Sequence, residues 1–205
     1  MKSFMAVFAV VTFAGLLGHA EGMDLPIDTP TPPVVNKPEV ATPPAGPAKP
    51  ARPLPGYNYT NLVATTNGWV YFSDGEKLYD SDGTDVYLVG QAPGVIKDLS
   101  ATGNNWVYFS VGSVIYTSNG TALNKVGTIP QGGLVTHLVA TTNGWAYFSV
   151  GAKLYDTDGT AIYSIGKAEG EVQNLSATGG NWIYFTVGRA LYYSDGTSIN
   201  RVSKK

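Results

Sequence analysis

The sequence predicts an all-β chain, a four-bladed β-propeller made of four antiparallel meanders, on three observations. One stretch is written four times, from Leu62 to Thr84, Leu99 to Thr121, Leu138 to Thr160 and Leu175 to Thr197. Each copy holds four short β-prone runs parted by Gly-containing turns. The second run of each copy is apolar on both sides, so each sheet needs cover on both faces. A repeat period in this range marks a repeat architecture.

Trp69, Trp106, Trp145 and Trp182 set the period, at separations of 37, 39 and 37 residues. Copies one and three share Thr-Thr-Asn-Gly-Trp, while two and four read Ala-Thr-Gly before Asn-Asn-Trp or Gly-Asn-Trp. The larger unit is thus a pair of 76 residues, present twice. In copy one the runs are 62–65, 69–73, 77–80 and 85–89, joined at Asn67-Gly68, Asp74-Gly75 and Asp82-Gly83. Asn-Gly and Asp-Gly accept the positive φ of tight hairpin turns. Four hairpin-linked strands make a meander, and the repeats are expected at about 61–97, 98–136, 137–173 and 174–205.

The packing follows from side-chain alternation. Trp69 and Tyr71 point to one face of their strand, Val70 and Phe72 to the other. Radial packing of each meander between two neighbours covers both faces. A linear stack would leave two apolar end faces, and no copy looks like a cap. Ala64, Ala101, Ala140 and Ala177 share one position on the first strand, where a small residue lets strands crowd around an axis. The rival closures are two chains forming one eight-bladed ring and a sandwich of the two 76-residue halves.

Before the repeats, residues 1–20 read as a secretory signal, with Lys2, an apolar run from Phe4 to Leu17, and Gly18-His19-Ala20 at the cleavage point. That run is short for a membrane crossing, so no span is expected after cleavage. Residues 21–56 form a proline-rich linker: eleven of the 13 prolines fall between Leu25 and Gly56. Proline fixes φ and removes a donor, which favours an extended semi-rigid spacer.

The motif Tyr71-Phe72-Ser73, then Leu78-Tyr79-Asp80-Ser81-Asp82-Gly83-Thr84, resembles the repeat of secreted bacterial surface propellers whose blades carry Tyr-Phe, Glu-Leu-Trp and Ser-Asp-Gly-Thr. More loosely, it is similar to propellers of the low-density-lipoprotein-receptor type. The likeness spans residues 62–203, with shorter blades here and Leu-Tyr or Ile-Tyr in place of Leu-Trp. It implies a propeller fold and leaves the ligand open.

Composition narrows the chemistry. The chain carries 13 basic and 15 acidic residues, no cysteine, and two histidines, His19 and His137. No basic footprint for nucleic acid is present. Neither a thiolate site nor a Ser-His-Asp triad is readily assembled from this inventory. Asp80-x-Asp82-Gly83 and Asp156-x-Asp158-Gly159 resemble half a calcium loop but lack the third acid and distal Glu, so they read as turns. The carboxylates sit beside near-identical turns, without the asymmetry that separates an acid from a base. Neither a catalytic residue, nor a metal, nor a cofactor is implied, and the chain is expected not to be an enzyme.

The tryptophans read as the structural core of the repeats, filling space between blades, with sugar stacking as the alternative. The ligand candidates are Lys77, Lys153 and Arg189 near the third strands, and Tyr87 and Tyr163 on the fourth, replaced by Asn124 and Asn200 in even copies. The sequence thus leads to a secreted, multivalent recognition module whose partner is a surface glycan. The alternative is an extracellular protein partner or an envelope-structural role.

Overall fold

The computed structural model describes residues 56, 58–130 and 132–203. The expected signal and nearly all of the linker lie outside these residues. The described chain forms sixteen strands in four four-stranded antiparallel sheets, each in simple sequential order. Blade 1 comprises β1 (Asn61–Ala64), β2 (Val70–Asp74), β3 (Lys77–Ser81) and β4 (Val86–Gln91). Blade 2 comprises β5 (Lys97–Ala101), β6 (Val107–Val111), β7 (Val114–Ser118) and β8 (Leu123–Thr128). Blade 3 comprises β9 (His137–Ala140), β10 (Ala146–Val150), β11 (Lys153–Thr157) and β12 (Ile162–Lys167). Blade 4 comprises β13 (Gln173–Ala177), β14 (Ile183–Val187), β15 (Ala190–Ser194) and β16 (Ile199–Arg201). The four-bladed propeller is the architecture the sequence predicts.

The turns explain the meanders. Gly68, Gly75 and Gly83 all have positive φ, as do Gly144 in blade 3 and the counterparts of Gly75 and Gly83 in every later blade. The Asp82 carboxylate accepts from the amides of Thr84 and Asp85, so its role is to hold its own turn. The first strand of each blade is innermost: β1, β5, β9 and β13 neighbour one another in that order. Ala140 N donates to Ser100 Oγ between two of them at 2.9 Å.

Alternation then loads each sheet on both faces. The front face, toward the next blade, carries Tyr71 and Leu78 in blade 1, Tyr108 and Ile115 in blade 2, and Tyr147 and Leu154 in blade 3. The back face carries a Phe from the second strand stacked on a Tyr from the third, as in Phe109–Tyr116, Phe148–Tyr155 and Phe185–Tyr192. Front and back meet in three cores among the described residues, between blades 1 and 2, 2 and 3, and 3 and 4. Each buried tyrosine also crosses its junction: Tyr71, Tyr108 and Tyr147 donate to the carbonyls of Asn105, Gly144 and Asn181. Burial pushes all three phenols well above their ordinary pKa, which keeps them neutral donors.

Here the structure departs from the expected closed ring. Among the described residues no fourth core joins blade 4 to blade 1, although Phe72 and Tyr79 on the back of blade 1 are buried. The front of blade 4 leaves Tyr184 41% and Leu191 43% exposed, where Tyr71, Leu78 and their counterparts are buried. On the back of blade 1, Leu62 is 64% exposed, whereas Leu99, Leu138 and Leu175 are buried.

Two hairpin glycines are wedged between blades. A Cβ on Gly120, at φ +90, would stand 2.6 Å from Asp80 Oδ2 and 2.9 Å from Tyr71 Oη. Gly83 has nearly the same φ, +89, but open space around it. Gly83→Ala should therefore cost only the left-handed backbone penalty of about 1–2 kcal/mol. Gly120→Ala should cost clearly more, because the blade junction must also open. Urea unfolding of the two variants measures the difference, and equal losses would contradict the wedge.

Candidate functional site

Every blade is threaded alike, so the starts of the four inner strands share one end of the axis. At that end the repeat changes its side chains. Asn61, Asp98, His137 and Asn174 occupy equivalent places, and each bonds the hydroxyl one residue before the end of the adjacent strand. Asn61 Nδ2 donates to Ser73 Oγ at 2.9 Å and Asn174 Nδ2 to Thr186 Oγ1 at 3.0 Å. Ser110 Oγ donates to Asp98 Oδ2 at 2.9 Å, and His137 Nδ1 lies 3.3 Å from Ser149 Oγ. These bonds orient four different polar heads at one mouth. Asp98 and Asn174 hold φ of 52°, a left-handed conformation that Asp and Asn tolerate, and the ladder shifts register beside each of them. Asn61 and His137 sit in regular ladders. The loops entering this end place Val95 and Leu134 in solvent, at 52% and 68% exposure.

The residues nominated from sequence divide between the two ends. Lys77, Lys153 and Arg189 follow the turns joining second and third strands, at the mouth end. Lys77 and Lys153 are equivalent, whereas Arg189 comes one residue earlier in its turn, beside Glu76 and Ala152 in register. Lys153 pairs across the ladder with Lys167, and both line a shallow groove of about 380 Å3 with Pro130, Tyr155, Ser164 and Gly166.

Tyr87 and Tyr163 lie at the opposite end, each cross-strand from an Asp. Their rings approach Trp69 and Trp145, with centroids 6.3 Å apart in both blades. Asn124 and Asn200 stand in the same register opposite Thr117 and Tyr193. Trp69, Trp106 and Trp145 are half-buried and Trp182 is exposed, while the largest fully buried side chains are the tyrosines and phenylalanines of the second strands. Trp69 and Trp145 flank inter-blade cores.

The odd-even pattern has a structural cause beside these tyrosines. In odd blades Asp80 and Asp156 face the front and meet the hairpin of the following even blade. Asp156 Oδ2 and Tyr147 Oη both lie within about 3 Å of where a Gly196 Cβ would be, and Asp156 Oδ1 has no hydrogen-bond partner. Burial pushes the Asp156 carboxyl up to about 7, with Asp158 adding to the rise. Even blades carry Thr117 and Tyr193 instead; Thr117 Oγ1 donates to Val107 O within its own sheet. Among the described residues no three His, Cys, Asp or Glu side chains gather as a metal site.

No protein-family model and no curated protein matches the chain. Solved β-propellers match it at low identity. Virginiamycin B lyase from Staphylococcus aureus aligns at 13% identity with a TM-score of 0.57, over 75% of this chain and 58% of the lyase. YCF48 bound to D1 peptide aligns at 18% identity with a TM-score of 0.54, over 74% of this chain and 55% of that one. The tricorn protease aligns at 15% identity with a TM-score of 0.57, over 72% of this chain and 17% of the protease. The chain thus spans little more than half the length of the first two. These likenesses establish the fold, which enzymes and binding proteins share.

The expectation that the chain is not an enzyme is corrected here. A lyase is built on the same kind of blades. The sequence argument treated the four copies as equivalent, whereas the mouth draws one distinct side chain from each blade, His137 and Asp98 among them.

Asp156 gives a pH prediction with a definite sign. Its folded pKa, about 7, lies above its ordinary value of 3.8, so the folded state holds the proton more tightly. Its contribution to stability is full below about pH 4 and is lost as pH rises through 7. Asp156→Asn removes this term, so its melting temperature should rise relative to wild type between pH 4 and 8. Parallel melting curves across that window would contradict the assignment.

Proposed function

We propose that this chain is a secreted recognition propeller whose mouth, at the start of the four inner strands, binds an extended segment of an extracellular protein. The carrying observation is the quartet Asn61, Asp98, His137 and Asn174. It offers amide, carboxylate and imidazole in place of one repeated group. A polypeptide presents alternating donors, acceptors and apolar side chains, which suits such a row flanked by exposed Val95 and Leu134. A similar fold bound to a peptide, in YCF48, supports the reading. In this reading residues 1–20 direct export, and the proline-rich stretch to residue 56 acts as a stalk.

A second reading rests on the opposite end. The Trp69–Tyr87 and Trp145–Tyr163 pairs share one geometry, and Tyr163 is 46% exposed. Like aromatic pairs suit a repeating ligand such as a surface glycan, bound at two sites with avidity.

Peptides selected from a random display library on the immobilised chain should bind at least about tenfold more weakly to His137→Ala and to Asp98→Ala, the loss of roughly one charge-assisted hydrogen bond. They should bind equally well to the Tyr87→Ala Tyr163→Ala double variant. Failure to enrich any peptide, or binding indifferent to both mouth substitutions, would overturn the first reading. Retention on immobilised polysaccharide that the tyrosine double variant abolishes would establish the second.

A further inference from the structure

We propose that a groove on blade 3 binds a small phosphate monoester, with Lys153 and Lys167 as its counter-charges. The two lysines face each other directly across the ladder of β11 and β12. Like charges in that relation repel and weaken a sheet, so the pair favours an anion between its two heads. Among the described residues no other blade repeats it. Blade 1 places Lys77 opposite Gln91, whose amide donates to the Glu76 carboxylate at 3.2 Å, and blade 2 places Val114 opposite Thr128. In blade 4 the place of Lys153 falls to Ala190. Lys153 is also half-buried where its counterpart Lys77 is exposed.

The wall beside these lysines is equally particular to this blade. Each connector between blades starts at an amide bonded to the preceding hairpin: Ala92 to Glu76, Ile129 to Ser113 and Ala168 to Ala152. From there the step to the mouth residue is 8 residues for Ile129 to His137, against 6 for Ala92 to Asp98 and for Ala168 to Asn174. The longer connector carries Pro130, which lines the groove, and Gly133, which seats the loop on blade 3. At Gly133 φ is +124, and a Cβ would stand 2.6 Å from Val150 Cγ1, so glycine alone allows this approach. Val150 is the ladder partner of Lys153, which holds the loop beside the lysine pair. The groove so formed has a volume of about 380 Å3 between Pro130, Lys153, Tyr155, Ser164, Gly166 and Lys167.

Charge and size together select the ligand. Two ammonium groups balance a dianion, and a phosphate monoester carries nearly two charges at neutral pH on three acceptor oxygens. Each ammonium brings three donors, and the hydroxyls of Ser164 and Tyr155 add two more. Glu169, two residues beyond Lys167, is committed elsewhere: it accepts from Tyr192 Oη of blade 4 at 2.8 Å. The groove volume exceeds what one phosphate group fills and lies within the roughly 300–1,000 Å3 of small-molecule sites. The rings of Pro130 and Tyr155 give apolar walls for an organic body, which favours an ester over the free ion. The groove shares no residue with the mouth quartet, so it stands whether or not the peptide reading holds.

The test is titration calorimetry of the full chain with glucose 6-phosphate, inorganic phosphate and glucose as probes. Glucose 6-phosphate should bind, inorganic phosphate should bind more weakly, and glucose should not bind. Lys153→Gln and Lys167→Gln should each weaken the ester about tenfold or more, the loss of one charge-assisted hydrogen bond. Lys125→Gln removes the same charge from blade 2 and should leave the affinity unchanged. Gly133→Ala keeps both lysines but lifts the connector from Val150. It should weaken the ester while the circular dichroism spectrum stays that of the wild type. Absence of binding by either phosphate, binding that survives the Lys153→Gln Lys167→Gln double variant, or an equal loss in Lys125→Gln would overturn the site. Equal affinity for inorganic phosphate would overturn the ester and leave the free ion as the ligand.

Discussion

The structure depends on one packing constraint: each sheet is aromatic on both faces and can satisfy neither alone. Tyr71, Tyr108 and Tyr147 lie fully buried at their junctions, and the phenylalanines beside Tyr116, Tyr155 and Tyr192 fill the opposite sides. A buried aromatic contributes several kcal/mol of transfer and packing, a large share of a domain's stability. One meander of short strands could not offset its own chain entropy. The tyrosine hydroxyl adds direction to this adhesion. By bonding a carbonyl in the next blade's first hairpin, it fixes how far that blade slides along the axis as well as that it packs. Cohesion and register therefore come from the same side chain.

This division of labour frees the rest of each blade. Interior positions repeat almost letter for letter because every junction asks the same question of them. The mouth end answers to no such demand, and there the copies diverge into Asn61, Asp98, His137 and Asn174. The paired hydroxyls of Ser73, Ser110, Ser149 and Thr186 remain near-constant, so the scaffold that orients the heads is preserved while the heads vary. The opposite end keeps its aromatic pairs in alternate blades, tied to the buried Asp80 and Asp156.

The fold was legible because its causes are local or periodic. Turn glycines, strand alternation and the tryptophan spacing each report on a few neighbouring residues, and the strands fall where those signals put them. The mouth quartet was harder to see, because its members lie 37 to 39 residues apart and differ in type. Only radial packing makes them neighbours. Searching the aligned copies for positions where they disagree, beside a constant hydroxyl, would have found it. The three cationic candidates and the two tyrosines were chosen because the copies differ there on the third and fourth strands, and antiparallel threading sends them to opposite ends. The expectation of no catalysis failed for a related reason: it asked whether one copy holds a site, whereas a propeller builds sites between copies.

The alternation of Asp with Thr or Tyr on the front faces bears on how such a chain changes length. Asp80 meets Gly120 and Asp156 meets Gly196, whereas the front of blade 2 carries Thr117. Junctions inside a 76-residue pair therefore hold a buried acid against a glycine, and the junction between pairs does not. Deleting or duplicating a single blade would bring an odd front against an odd back, setting two dissimilar seams out of phase. Moving two blades leaves every seam as it was. Lineages of this protein should accordingly gain or lose blades in steps of two, with the pair as the heritable unit.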